Sequence, residues 1–392
     1  MLLPFDAPAL RAHTEGLDRW RTQLDYRGPI PRAWAGRLRR DLEAEAIAAS
    51  TSMEGVPVTL EEVHRILAGD RPPETREEDA ALVRGYRDAM SFVLRRADDA
   101  AFRWDRELLI GLHDRVLAGN WGAGAGRFRG GPAYVLDGRS RELVFQPPPA
   151  EAVPGLVDAA CRAMQEGREH PALSAAWIHA ALAAIHPFRD GNGRASRVVA
   201  SLAMYRGGFK LPEFTSLGEW WGRHLSDYYG AFRCLGGTFD AAADVTPFIR
   251  AHVEAQLHQV RALDLRERVE GKVWVAVEEA VAAAHLPARV ANAAWDAFFG
   301  RSVTPRYYRP LADVSPATAT NDLAAAVAAG LLRPQGRARS RTYRAGDGLH
   351  LRIGAVLGVP GDEAGDASRA MIIGELTRRA AVERPGEGVA PT

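Results

Sequence analysis

The chain has 392 residues, 47% hydrophobic and 25% charged, an ordinary soluble composition with enough length for two or three domains. Fifty basic against 49 acidic residues give a net charge of +1, so the molecule as a whole carries no nucleic-acid signature. No apolar run is long enough to span a bilayer, no basic n-region precedes an apolar core, and the two cysteines, Cys161 and Cys234, have no metal or CxxC spacing. These features predict a reduced, cytoplasmic protein without a signal peptide, whose two thiols act as small hydrophobes.

Residues 1–30 read as irregular, punctuated by Pro4, Pro8, Gly28 and Pro29. Helical periodicity starts near Arg32, runs through Leu38, Leu42 and Ile47 toward Met53, and stops at Gly55. Thr59 and Glu62 form a capping-box signature for a short helix to about Ala68, and Thr75 with Glu78 repeats the signal for a long helix to about Arg96. Asp105 is placed to cap a helix through Leu117 that carries Leu108, Leu112 and Val116 on one face. The glycines between 119 and 126 miss the GxGxxG spacing, so no dinucleotide site is read there. Ala133–Leu136 and Leu143–Phe145, joined by Asp137-Gly138 and polar residues, predict a β-hairpin; Val153–Gln165 predicts a helix.

The chain's chemistry is concentrated in residues 186–197, His-Pro-Phe-Arg-Asp-Gly-Asn-Gly-Arg-Ala-Ser-Arg. Leu173–Ile185 reads as a buried helix ending at His186 and Pro187, and Arg194–Tyr205 as a second helix ending at Gly207-Gly208. Between them, Gly191 and Gly193 permit a nest of N–H groups, and the following helix adds unsatisfied donors and positive charge. Arg194 and Arg197 lie three apart and share a helix face, suited to phosphate. Asp190 is a hard oxygen ligand suited to Mg²⁺, and His186 titrates near neutrality, as a general base does. A structural loop has no need of all of these together.

This stretch resembles the signature of Fic domains, His-Pro-Phe-x-[Asp/Glu]-Gly-Asn-Gly-Arg-x-x-Arg, with every fixed position matched. The resemblance implies transfer of AMP from ATP to a Ser, Thr or Tyr hydroxyl of a target protein. It implies His186 as the base, Asp190 as the Mg²⁺ ligand, the Gly191-Asn192-Gly193 backbone as the phosphate cradle with Asn192 orienting the α-phosphate, and Arg194 and Arg197 at the β/γ end. Ser50-Thr51-Ser52-Met53-Glu54-Gly55 resembles the inhibitory motif of the subclass whose inhibitory helix precedes the catalytic domain. There the glutamate, here Glu54, pairs with Arg197 and competes with the γ-phosphate, with Ser50 as the motif's first residue. The predicted hairpin resembles the family's flap, on which a target segment docks along about Ala133–Phe145. Tyr228 and Tyr229, on an aromatic stretch over Leu217–Phe232 that reads mainly as packing, match a tyrosine pair the family places near the base.

Asp244 to about Glu270 reads as one long helix and Val273–His285 as another. Residues 301–344 hold eight arginines against two aspartates; Ser315-Pro316 opens a helix to Ala329, and two short strands flank Gly336. That pattern resembles a C-terminal winged helix. DNA contact through it is disfavoured, because the helix has no arginine to read guanine. The expected fold is mainly α. Residues 1–104 form an N-terminal helical region carrying the 50–55 motif, and residues 105–268 a Fic core with a hairpin flap. Residues 269–355 form a helical linker and winged helix, and 356–392 a tail. The expected function is an autoinhibited protein adenylyltransferase using ATP and Mg²⁺, without membrane contact. A reverse activity that removes AMP at the same site, a DNA-binding regulator that only senses ATP, other nucleoside donors, and homodimerisation stay open.

Overall fold

A computed structural model describes residues 2–25, 32–138, 140–211, 214, 217–336, 341–359 and 366–382. Arg337 and Arg339 of the basic segment fall outside the described residues. The fold is mainly helical, with two small antiparallel hairpins among the described residues. None of the described helices is long and apolar enough to cross a membrane.

Two compact units divide the chain. The first comprises Met1–Ile30, Arg39–Leu67 and Pro73–Val260. At its centre lie α7 (Pro171–Ile185) and α8 (Asn192–Arg206), packed along their lengths. Around this pair stand α4 (Glu77–Ala97), α5 (Arg106–Val116) and α6 (Val153–Glu166). Alanines make this closeness feasible: Ala172, Ala175, Ala176, Ala180, Ala181 and Ala184 are buried on every side of α7. A helix apolar all round is stable only when it is enclosed, and its neighbours enclose it. The helix α2 (Arg32–Ser52) ends one turn before Gly55, whose φ of +77° is the left-handed stop that glycine supplies.

The sequence signals at helix starts divide. At α3 (Leu60–Leu67) the capping box forms as expected, with Thr59 N–H donating to Glu62 Oε2 at 2.8 Å and Glu62 N–H to Thr59 Oγ1 at 3.2 Å. Asp105 caps α5 through Leu108 N–H at 2.8 Å. The repeat at Thr75 does not cap α4, because its hydroxyl donates to Glu62 Oε1 at 2.7 Å and Arg76 takes the cap position without a side-chain bond. Residues 1–30 are not wholly irregular either: α1 (Arg11–Asp25) buries Leu17, Trp20 and Leu24, and Leu10 just precedes it. With Leu10 these apolar residues fall at helical spacing among many charges, which masked the period. Leu3 anchors this arm, donating through its N–H to the Ala241 carbonyl and accepting from Trp177 Nε1 at 3.0 Å.

Leu217–Phe232 is two short helices, Leu217–Arg223 and Leu225–Ala231, parted at His224. The two helices expected between 244 and 285 are one, Thr246–Ala283, which continues through Gly271. A single glycine costs a helix only about 1 kcal/mol, which packing along 38 residues overrides.

The second unit comprises Pro31–Leu38, Ala68–Pro72 and Arg261–Thr392. Its helix Pro316–Ala328 is capped by Ser315, which accepts from Thr318 N–H at 3.2 Å, as the sequence predicts. Strands β3 (Leu332–Gln335) and β4 (Thr342–Ala345) pair antiparallel about Gly336. Asp322 holds the unit together, accepting from Arg289 Nε at 2.7 Å and Nη2 at 2.9 Å and from the Tyr308 hydroxyl at 3.0 Å. Part of the basic segment is spent internally. Arg301 pairs with buried Asp296 at 2.9 Å, Arg306 with Asp70 at 3.4 Å, and Arg344 donates to the Gly300 carbonyl. The C-terminal stretch also contains the helix Asp366–Val382, which buries Ile372, Leu376 and Ala380.

Helix α4 meets α5 at Gly85, where an added Cβ would collide with the Arg115 carbonyl oxygen and lie 3.1 Å from Ala118 N. Both neighbours are backbone, so no rotamer change relieves the clash. Gly85→Ala is expected to lower stability by about 1–3 kcal/mol in urea unfolding, and an unchanged midpoint would refute this account of the α4–α5 contact.

Candidate functional site

The loop 186–191 is held by hydrogen bonds to its backbone, supplied largely from outside it. His186 ends α7 with φ 49° and ψ 59°, the left-handed region that is rare for a residue with a side chain. Pro187 bars His186 from continuing the helix, so the chain must turn here. The turn is pinned by Arg129, a buried guanidinium that donates only to carbonyls. Nε reaches His186 O at 2.8 Å, Nη1 reaches Gly131 O at 2.8 Å, and Nη2 reaches Pro148 O at 2.5 Å. Burial holds the Arg129 guanidinium below its ordinary pKa, outweighing the opposite pull of Glu151. The Arg129 N–H also donates to Pro187 O at 3.0 Å.

The second brace is His113 of α5. Its ring lies on Phe188 at 3.6 Å between centroids and 4° between planes. Nδ1 accepts from Gly126 N–H at 3.2 Å, so Nε2 carries the proton and donates to Asp190 O at 2.8 Å. Burial lowers the pKa of His113 and keeps this neutral tautomer. Sequence reading passed over both braces. Arg129 sits in a stretch seen only as an approach to the hairpin, and His113 on an amphipathic helix has the look of a core histidine.

Asn192 is the third brace. Its Oδ1 accepts from Phe188 N–H and its Nδ2 donates to Phe188 O, each at 2.9 Å. The amide expected to orient a phosphate is therefore engaged within the loop, and Asn192 offers its backbone N–H instead. Gly191, at φ +73°, opens α8 without a capping side chain, so the first N–H groups of that helix stay open to an anion. A Cβ at Gly191 would lie 3.1 Å from Leu117 Cδ2 and 3.3 Å from His113 Nε2, so its lack of a side chain is used twice.

Arg194 and Arg197 behave differently. Arg194 is buried but loosely held: Nη2 stands 3.6 Å from Asp190 Oδ1, Nη1 stands 3.5 Å from Val116 O, and Nε has no partner among the described residues. A buried cation with donors to spare suits an incoming anion. Arg197 is fully engaged. Nε donates to Ser50 Oγ at 2.8 Å, Nη2 to Ser50 O at 2.9 Å and to Glu54 Oε1 at 2.8 Å, and Nη1 to the Tyr228 hydroxyl at 3.3 Å. Burial opposes its charge, yet Tyr228, Glu54 and Tyr86 together hold its pKa above the ordinary value. The Glu54 carboxylate lies so close over Gly193 that a Cβ there would collide with Oε1. A carboxylate thus stands at the open end of α8.

His186 is half-buried, and burial draws its pKa below the ordinary histidine value; a hydrogen bond with the Ala183 carbonyl, Glu54 and Asp190 push the other way. It is neutral at pH 7, with one ring nitrogen tied and the other available. Asp190 is exposed and its Oδ1 accepts from Gly191 N–H at 2.6 Å. Among the described residues no three metal-ligating side chains cluster. Asp190 is an exposed hard oxygen donor, the chemistry that would suit a Mg²⁺ held otherwise by phosphates and water.

Tyr228 is buried, and its hydroxyl lies between Arg197 and His179 Nε2, the latter at 3.1 Å; burial pushes its pKa up to about 12. Tyr229 is 56% exposed and its hydroxyl donates to Met53 O at 3.3 Å, so of the pair it is the one with a free ring face near the motif. The hairpin β1 (Val135–Leu136) and β2 (Leu143–Phe145) exposes Tyr134, Leu136, Leu143 and Val144.

Residues 103–204 match the model of the Fic/DOC family. The chain carries a Fic domain. A protein adenylyltransferase, fic-1, of Caenorhabditis briggsae is 30% identical over 159 residues, 38% of this chain. A Fido domain-containing protein of Dictyostelium discoideum is 44% identical over 45 residues, 12% of this chain. The matched stretches span 27% and 32% of those relatives' own lengths. A Fic family protein from Desulfovibrio desulfuricans is similar in structure with a TM-score of 0.56 at 23% identity, covering 88% of this chain and 98% of that one. The mainly helical architecture with its small hairpin is the Fic fold.

The Fic loop's neutral histidines make a linkage prediction. His113 and His186 both sit below the ordinary value of 6.5 in the folded state, so the unfolded chain takes up more protons as the pH falls. The stability they contribute is full above about pH 6.5 and is lost as the pH drops toward their folded values. Urea unfolding between pH 7 and 5 should show stability falling with acid, and His113→Gln should reduce the slope by up to about 1.4 kcal/mol per pH unit, one proton's worth. An identical slope would mean that His113 is not held neutral.

Proposed function

We propose that this chain is a protein adenylyltransferase restrained by its own Glu54. The observation that carries the reading is the joint placement of a neutral His186 and an uncapped α8 N-terminus on one braced loop, with Arg194 loosely held beside it and its Nε without a partner among the described residues. In this reading the triphosphate of ATP lies along the Gly191-Asn192-Gly193 backbone. The target hydroxyl oxygen attacks the α-phosphorus, its proton passes to the free nitrogen of His186, and the bond to the bridging oxygen breaks to release pyrophosphate. Asp190 would hold Mg²⁺, and the bound ion would neutralise charge on the leaving diphosphate. Tyr229 offers its exposed ring to the base, and a target segment adds along the hairpin Ala133–Phe145 as an extra strand, its apolar residues exposed for the purpose.

The inhibitory reading rests on competition. Glu54 takes Arg197 and overlies Gly193, the donors a γ-phosphate needs, so Ser50-to-Glu54 acts as an inhibitory segment at the end of α2. The adenylyltransferase name of the Caenorhabditis briggsae relative supports the AMP-transfer class. The helix Pro316–Ala328 with β3 and β4 is read as a winged helix for protein contact. The helix itself carries no basic residue, and Arg301, Arg306 and Arg344 are engaged within their own unit.

Intact-mass measurement of the protein after incubation with ATP and Mg²⁺ tests the reading. Glu54→Gly should gain one AMP at least tenfold faster than the parent, and adding His186→Ala should slow the gain by about 10²–10⁴, the range for loss of a general base. Equal rates in the parent and Glu54→Gly would remove the inhibitory role. No transfer in Glu54→Gly, to itself or to lysate proteins with labelled ATP, would remove the transferase.

A further inference from the structure

Arg197 also forms part of the wall of a cavity of about 150 Å³ that the reaction does not use. Leu42, Ala46 and Ile47 of α2 and Ala200 and Met204 of α8 give it apolar sides, and Leu94, 48% exposed, stands where it meets solvent. An apolar cavity of this size accommodates one six-membered ring.

Four of its lining side chains, His179, Trp221, His252 and Gln256, are each at least 97% buried and each has a polar atom without a partner among the described residues. Their roles can be assigned. The Tyr228 hydroxyl accepts from Arg197, so its own proton goes to His179 Nε2, and His179 carries its proton on the orphaned Nδ1. Trp221 Nε1 is a donor only. Gln256 Nε2 donates to Phe214 O at 2.5 Å, which leaves Oε1 an acceptor without a donor. His252 has an unpaired Nδ1, and burial drives its pKa down to about 3, so it is uncharged. Buried polar groups are rarely left unmade, and four around one void call for an occupant with hydrogen-bonding atoms of its own. The charged groups are spoken for: Arg197 is committed, Lys210 at the rim pairs with Asp98, and Glu43 has a partner of its own.

We propose that this cavity is a binding site for a small neutral ring compound of phenol size, carrying both a hydrogen-bond donor and an acceptor, and that its occupant braces α2 against α8. The acceptor of the guest meets the Trp221 and His179 N–H groups, and its donor meets Gln256 Oε1. Because α2 and α8 form facing walls and Ser50 follows Ile47 by one turn, an occupant strengthens the grip of Ser50 and Glu54 on Arg197. The regulatory part of this proposal rests on the inhibitory reading of Glu54; the binding part does not.

The test uses phenol as the probe and toluene as its apolar counterpart, with titration calorimetry and saturation-transfer NMR on the full chain. Phenol should bind at least tenfold more tightly than toluene. Ala46→Phe, which fills the cavity, should abolish binding. Trp221→Phe, which removes one donor, should weaken phenol about fivefold relative to toluene, and it serves if Ala46→Phe fails to fold. No binding at millimolar phenol, as for a cavity that holds only water, overturns the site. Equal binding of toluene overturns the polar assignment, and unchanged phenol binding in both variants places the ligand elsewhere. Phenol should also raise hydrogen-exchange protection of the amides from Ile47 to Met53 at least threefold. Binding without that rise overturns the bracing, and neither readout depends on AMP transfer, so failure of the transferase reading would show separately in the mass measurement.

Discussion

A buried guanidinium must find acceptors for its N–H groups, and the way Arg197 places its own decides how the end of α2 is held. Two go to Ser50, one to Glu54, and one to Tyr228, which hydrogen-bonds in turn to His179. Removing any acceptor leaves a charge that water cannot easily reach, which is costly in a way that a surface pair is not. The docking of residues 50–54 is therefore specified by hydrogen-bond geometry, alongside the packing of Met53 against Leu217 and Trp221. It uses a carboxylate that is itself partly exposed, with 24% of its side-chain surface open. A contact that is buried on the cation's side and wet on the anion's side can be competed for by a stronger anion without unfolding the helix.

The loop on the other side of Arg197 follows the opposite rule. Arg129, His113 and Asn192 bind mainly backbone atoms. Carbonyls and N–H groups do not move with side-chain rotamers, so a loop fixed by them is rigid whatever its own side chains do. That leaves the side chains of buried Arg194, exposed Asp190 and half-buried His186 out of the bracing of the loop, the arrangement that a site needing preorganised donors favours.

Much of this was legible in advance, because local rules carry it. The capping box at Thr59, the cap at Asp105, the Ser315-Pro316 start and the paired strands about Gly336 all obey spacing alone. The loop's residues were readable as a group because so many chemical types coincide within twelve positions. What escaped depends on partners far along the chain. Thr75 caps nothing because Glu62 is near, Arg129 matters through carbonyls as distant as 57 positions, and the apolar period of α1 is diluted by charge. The family resemblance implied that Asn192 orients the α-phosphate; that its amide also closes the tight turn at Phe188 is not readable from spacing.

One consequence of Arg129 reaches beyond the loop. The same planar group that fixes the His186 carbonyl also fixes the Pro148 carbonyl, three residues after β2 ends. The start of the loop and the segment that follows the hairpin are thus tied to one planar group, so whatever shifts Arg129 shifts both anchor points together.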